Sequence, residues 1–184
     1  MRRVGAVAIA LLGFASLGSR DGEPVGRLAP DCALTALDSG EEVALAPARG
    51  KVLWVDFWAS WCSACVESFP FLMALDRDYR ERGLEIVAVN LDEKPEEARA
   101  FLAHYPVRFE LAADRSRDCP RAFGVASLPS AVLVDRGGVI RFVHRGFHPG
   151  DAEALRTQVE SLLDEGGAPP EPAGAEERTR AGAR

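Results

Sequence analysis

Cys62 and Cys65, in the run Trp61-Cys62-Ser63-Ala64-Cys65, are the side chains with the plainest reactive chemistry in the sequence. A C-x-x-C pair that follows a strand and opens a helix is a dithiol/disulfide couple. Its leading sulfur sits at the helix N-terminus, where unpaired N–H groups and the positive dipole end favour a thiolate; its trailing sulfur lies one turn on, within bonding reach. Cys62 is therefore the expected attacking sulfur and Cys65 the resolving one. Asp56, six residues earlier, is the anomaly in the apolar run Val52 to Phe57. Buried there, its carboxyl would have a raised pKa and could pass a proton to or from Cys65. The plainer reading is a hydrogen-bonded Asp without catalytic duty.

Competing chemistries fit the sequence less well. Zinc needs two further ligands beside a C-x-x-C pair, and Cys119, His104, His144 and His148 are scattered singly. Haem attachment needs a His directly after the second Cys, where Val66 stands. A thiol peroxidase would want a single reactive Cys with Pro and Thr upstream, which the Trp-rich stretch before Cys62 does not supply. The three His read as surface or hairpin positions. The expectation is no metal and no cofactor beyond the cysteine pair. A non-catalytic module that only binds extended chains is the alternative from another class, and retention of both cysteines weighs against it.

Cys32 and Cys119 bring the cysteine count to four. An even count suits an oxidising compartment and leaves a structural bond between them open, as it does a buried inert Cys32 and a partly exposed Cys119. Spacing does not decide.

The elements that must position these residues follow from the apolar pattern. Cys32 to Leu37 and Glu42 to Leu45 flank the turn signal Asp38-Ser39-Gly40. Val52 to Phe57 and Leu84 to Val89 read as strands buried on both faces. The stripe Val66, Phe69, Leu72, Met73 and Leu75 predicts a helix from Cys62 to Arg82, stopped by Gly83. Asp92 to Tyr105 reads as a second helix, Phe109 to Ala112 as a strand, and Asp118 to Phe123 as a short helix. Ala131 to Val134 and Val139 to His144 form a hairpin around Gly137-Gly138, and Asp151 to Leu163 is the closing helix. The fold class is α/β, a mixed sheet with parallel neighbours where helices intervene and an antiparallel edge from the hairpin.

The ends differ from this core. Met1-Arg2-Arg3 followed by the apolar stretch Val4 to Leu17 reads as a signal peptide over residues 1–18, cleaved after Gly18 or kept as a membrane anchor. Residues 19–29 read as a spacer, residues 30–165 as the domain, and residues 166–184, with no aromatic or large aliphatic side chain, as a disordered tail. The formal net charge of −6 over 184 residues gives no footprint for nucleic acid.

The stretch from Trp54 to Cys65, Trp-Val-Asp-Phe-Trp-Ala-Ser-Trp-Cys-Ser-Ala-Cys, resembles the active-site strand and turn of the thioredoxin superfamily. Pro70 falls where such proteins kink the active-site helix, and Leu128-Pro129 where they carry a cis-proline loop facing the cysteines. Ala29-Pro30-Asp31, the insert from Val89-Asn90-Leu91-Asp92 to Tyr105, and the run from Ser127 to Val139 resemble the TlpA/ResA-like periplasmic branch. The resemblance implies a thioredoxin fold with an N-terminal β-hairpin extension and a central αβ insert, and it supports the proton-shuttle role for Asp56. It further implies that Leu128 and Pro129 pair with an extended substrate strand, with Trp61 shaping the docking surface. The activity implied is thiol:disulfide exchange with protein partners, in cytochrome c maturation or copper-site assembly, fed by a membrane electron donor, by a monomer outside the cytoplasm. Thiol oxidation would run the same residues backwards. Two positions depart from the branch: Ser68 stands where a Glu is usual, and Asp56 where Asn is frequent. Ser63-Ala64, without Pro or His, suggests a reducing to intermediate poise.

Overall fold

The computed structural model describes residues 24–45 and 50–165. The expected signal segment, the first part of the spacer and the C-terminal tail lie outside the described residues. In chain order the elements are β1 (Cys32–Ala36), β2 (Glu42–Leu45), β3 (Val52–Trp58), α1 (Ser63–Tyr79), β4 (Leu84–Asn90), α2 (Pro95–Leu102), β5 (Glu110–Ala113), α3 (Asp118–Ala122), β6 (Ser130–Val134), β7 (Ile140–Arg145) and α4 (Ala152–Asp164). The strands form one mixed sheet in the order β2-β1-β5-β4-β3-β6-β7. β3 pairs parallel with β4 and β4 with β5, as crossovers through α1 and α2 demand, while β6 and β7 run antiparallel. This is a thioredoxin fold, with the β1–β2 hairpin added at one edge.

Boundaries moved for local reasons. Helix α2 starts at Pro95, not Asp92, because the Asp92 carboxylate is spent on other backbone and Pro95 takes the first helical position, where its missing N–H is harmless. α1 ends at Tyr79 and runs through a 3-10 turn, Arg80–Arg82, into Gly83, whose φ of 98° closes the turn. The later part of the expected spacer is structured from Pro24 onward. Leu28 bridges Val139, and the N–H groups of Gly26 and Ala29 donate to the carbonyls of Ile140 and Gly138 at 2.8 and 2.9 Å. Backbone hydrogen bonds to a hairpin carry no apolar period, so composition alone read this segment as linker.

Alternation along β3 splits its side chains between two buried layers. Trp54 and Trp58 face the cluster formed with α1, α2 and α4, which includes Phe69, Leu72, Ala98, Leu155 and Val159. Leu53, Val55 and Phe57 face the opposite cluster with Phe123, Val132 and the Cys32–Cys119 pair. Asp56, two residues from each Trp, must therefore point into the layer that α1 covers. Phe69 anchors that layer, its ring centroid 4.9 Å from those of both Trp58 and Phe101. α1 carries Pro70 in its interior, where the carbonyl four residues back loses its helical partner.

Cys32 and Cys119 are bonded, with Cα atoms 5.5 Å apart and a sequence separation of 87. The bridge ties β1 to α3 beneath the sheet, and both residues are buried. The Cys119 N–H donates to Asp114 Oδ2 at 2.8 Å, and Asp114 also accepts from the Ser116 hydroxyl and the Arg117 N–H, so one buried carboxylate shapes the approach to α3. Closing a loop of this length removes about 4.6 kcal/mol of denatured-chain freedom by the chain-entropy relation. Replacing both residues, Cys32→Ser with Cys119→Ser, should lower unfolding stability by about 2–4 kcal/mol in urea titrations of the oxidised protein. The unreduced wild type should take up no thiol-alkylating reagent at either position by mass.

Candidate active site at the start of α1

The turn between β3 and α1 is held from outside itself. The Leu91 N–H donates to the Trp58 carbonyl at 2.9 Å, and the Ser60 N–H donates to both carboxylate oxygens of Asp92 at 3.1 Å. Asp92 is buried and is fixed in turn by Asn90, whose Nδ2 donates to Oδ2 at 2.9 Å while its Oδ1 accepts from the Asp92 N–H. The C-terminal end of β4 thus clamps the chain just before the cysteines. No reactive-residue pattern marked Asn90 and Asp92 in advance; their signal was two polar residues at the end of a buried strand.

Cys62 is the N-cap of α1, and its sulfur accepts from the Cys65 N–H at 3.2 Å. That bond and the free amide ends of the first turn aim positive potential at Sγ of Cys62. The two cysteines are joined in a disulfide. Cys62 keeps 7% of its surface in contact with solvent and Cys65 keeps none, so only the leading sulfur can be approached from outside. Ser68 is buried and donates its hydroxyl to the Cys65 carbonyl at 3.0 Å, so no acid occupies the α1 position facing this layer.

Asp56 is 2% exposed, lying in register with Ala88 on β4 and Ala131 on β6. Burial pushes its carboxyl up to about 7, the Trp54 indole opposing the rise. No hydrogen bond of ordinary geometry joins the two, and Oδ2 of Asp56 and Nε1 of Trp54 both lack partners.

Around the cysteines the expected docking residues come together. Trp61 is 66% exposed, and with Leu91, Pro120, Val125 and Leu128 it lines a groove of about 290 Å³ edged by Arg117 and Arg121. The α3 wall of this groove was missed in the sequence, because α3 is placed there by contacts distant in the chain, the Cys32–Cys119 bond and the packing of Phe123 on Phe57. The Leu128–Pro129 peptide is cis. Pro129 lines a small cavity with Asp56, and its carbonyl accepts from the Gly146 N–H at 2.8 Å. A larger hollow of about 500 Å³ lies beside the far half of α1, near Met73 and Arg77, and holds no cysteine. Trp58 is core, fully buried.

The Redoxin family pattern matches residues 24–159. The chain belongs to the Redoxin family. Thiol-disulfide oxidoreductase ResA of Bacillus thuringiensis subsp. konkukian (strain 97-27) is 31% identical over 139 residues, which cover 76% of each chain. A Chlorobium tepidum structure assigned as a DsbE-type thiol:disulfide interchange protein superposes with a TM-score of 0.72 at 40% identity, over 77% of this chain and 99% of the other. The MTB DsbF structure, in mixed oxidised and reduced forms, gives 0.64 at 26% identity over 71% and 94%. This Redoxin-family protein is a thiol:disulfide oxidoreductase of ResA/DsbE type.

The buried carboxyl has a measurable consequence for stability. Its folded pKa of about 7 lies above the usual 3.8, so between those values the native state holds a proton that the unfolded chain has released. Stability contributed by that proton is complete below pH 4 and is lost as pH rises through 7. Asp56→Asn should remove this loss, making the oxidised variant more stable than wild type by up to about 4 kcal/mol at pH 8, with the gap closing toward pH 4. Urea unfolding across that range checks it; a gap independent of pH would mean the carboxyl is not proton-binding near neutrality.

Proposed function

We propose that this protein reduces disulfides of other exported proteins outside the cytoplasm, using the Cys62–Cys65 pair as its electron carrier, and is recharged by a membrane donor. The unequal exposure of the two sulfurs is the observation that carries the reading. Reduced Cys62, at the α1 N-cap and reachable, suits a thiolate that attacks a partner disulfide to give a mixed disulfide. Cys65, sealed beneath it, suits a sulfur that acts only within the protein: Asp56 takes its proton, and the Cys65 thiolate attacks Sγ of Cys62. The new Cys62–Cys65 bond forms as the bond to the partner breaks, and the partner leaves reduced. Trp61, Leu128 and Pro129 would hold the partner's extended segment over Cys62.

The named relatives support exchange with protein thiols and disulfides. The narrower reading, partners of cytochrome c maturation or copper-site assembly type, rests on the resemblance to the TlpA/ResA-like branch and on the oxidising setting that a charged, then apolar, N-terminal stretch suggests.

The reduction potential of the pair is the test. A value more negative than about −200 mV fits a reductant, while one near −120 mV would make the protein an oxidant. In an insulin-reduction assay Cys62→Ser should abolish turnover, and Cys65→Ser should accumulate a mixed disulfide visible by mass on non-reducing analysis. The wild-type rate of mixed-disulfide resolution should rise as pH rises through about 7, since Asp56 works only after losing its proton. Asp56→Asn should slow that step about 10- to 100-fold at neutral pH and flatten the profile, leaving the first attack largely intact.

A further inference from the structure

Asp56 meets a problem that its own chemistry creates. Asp56 can take the Cys65 proton only after shedding one it already holds, yet during resolution a protein partner lies over Trp61, Cys62 and the Leu128–Pro129 turn. Any exit has to open elsewhere.

The sheet register supplies one. Asp56 on β3 is opposite Ala131 on β6, and Ala131 is opposite His144 on β7. Directly opposed residues project from the same sheet face, so Asp56 and His144 stand about 10 Å apart at Cα on either side of a methyl group. Between them lies a cavity lined also by Ser68, Pro129, Phe147 and Leu155, with about 10 Å³ of space for the centre of a water, enough for one molecule. Oδ2 of Asp56 is buried, unpartnered and faces this layer. The other end of the cavity is bounded by Gly146, which is exposed, and by half-buried His144. The neighbours on β4 and β6, Ala88 and Ala131, carry no charge, and Ser68, Phe71 and Leu72 are what α1 contributes. The charged side chains of α4 on this side are engaged elsewhere, Arg156 with Asp78 and Glu160 with Tyr79. His144 is thus the one titratable lining residue besides Asp56. Its Nε2 is hydrogen-bonded to Oε1 of Gln158 on α4, which fixes the ring and leaves Nδ1 as the nitrogen free of that contact.

We propose that His144, through one water in this cavity, is the proton exit of Asp56, so that resolution proceeds while the docked partner covers the cysteine face. Imidazole suits the task, since one ring nitrogen can accept a proton while the other donates one. Under the docked partner, protonated Asp56 gives its proton to the water as the water gives one to His144, and His144 releases a proton to solvent. The Cys65 thiol proton then passes to the freed Asp56 carboxylate, the Cys65 thiolate displaces the partner's sulfur from Cys62, and the partner departs as a thiolate. No electrons travel this route; the pair that breaks the mixed disulfide comes from Cys65. His144 acts through Asp56 and touches no sulfur, so it is a positioning and relay residue.

The inference rests on the disulfide-reductase reading above, and the test separates the two. Reduced wild type, His144→Gln and Ala131→Val, the last filling the cavity with hydrocarbon, are mixed with insulin or with glutathione disulfide. Mixed disulfide is followed by rapid acid quench and mass. Glutathione is too small to seal the cysteine face. Resolution with insulin should slow about tenfold in both variants, with a much smaller loss for glutathione and with no difference of this kind in the attack phase. In an Asp56→Asn background His144→Gln should add no further slowing, since there is then no proton to export. Equal slowing with both partners, no slowing with insulin, or a loss that persists in the Asp56→Asn background would overturn the relay. His144→Gln decides by itself if Ala131→Val does not fold. Failure of wild type to resolve either mixed disulfide would instead overturn the reductase reading.

Discussion

The unpaired amides at the start of α1 are what the rest of the molecule arranges. They make the N-cap a position where a thiolate is favoured by backbone alone, and Cys62 occupies it with its sulfur on the Cys65 N–H. That potential falls off within a turn, so the sulfur must be held at the helix end. Asn90 and Asp92 provide the hold from β4 by fixing the Ser60 N–H, and the Leu91 N–H fixes Trp58. A parallel β3–β4 pair thus bears directly on the electrostatics of a sulfur it never touches.

Burial divides the two sulfurs into roles. In the proposed cycle Cys65, with no accessible surface, depends on the protein for proton transfer, and Asp56 projects into the layer that α1 covers. Its raised pKa follows from desolvation between two alanines and from the absence of any cation in its surroundings. A carboxyl hydrogen-bonded there would sit lower and be a poorer match to a thiol near neutral pH. The unpartnered oxygen is destabilising to the folded state, and the proposed proton transfer gives that cost a function.

On the opposite sheet face the Cys32–Cys119 bond joins an edge strand to α3, a helix of five residues with little apolar surface of its own. A helix that short is not stable by itself. Tethered, it presents Pro120 and Arg121 as one wall of the groove beside Trp61. One disulfide therefore caps the helix start, and the other holds α3 against the groove that the proposed exchange uses.

What the sequence determined by itself was local chemistry and period: the C-x-x-C pair after a buried run, the strand and helix order, and an acid in a strand buried on both faces. Those features depend on residues close together in the chain, where a spacing of two or of three to four fixes the face each side chain takes. Tertiary structure decided the rest. Whether Cys32 reached Cys119, where the Asp92 carboxylate was spent, why Pro24 to Ala29 is ordered, and that His144 shares a row with Asp56 all depend on strand neighbours far apart in sequence. Register between such strands is set by the packing of the whole sheet, and no spacing along the chain encodes it.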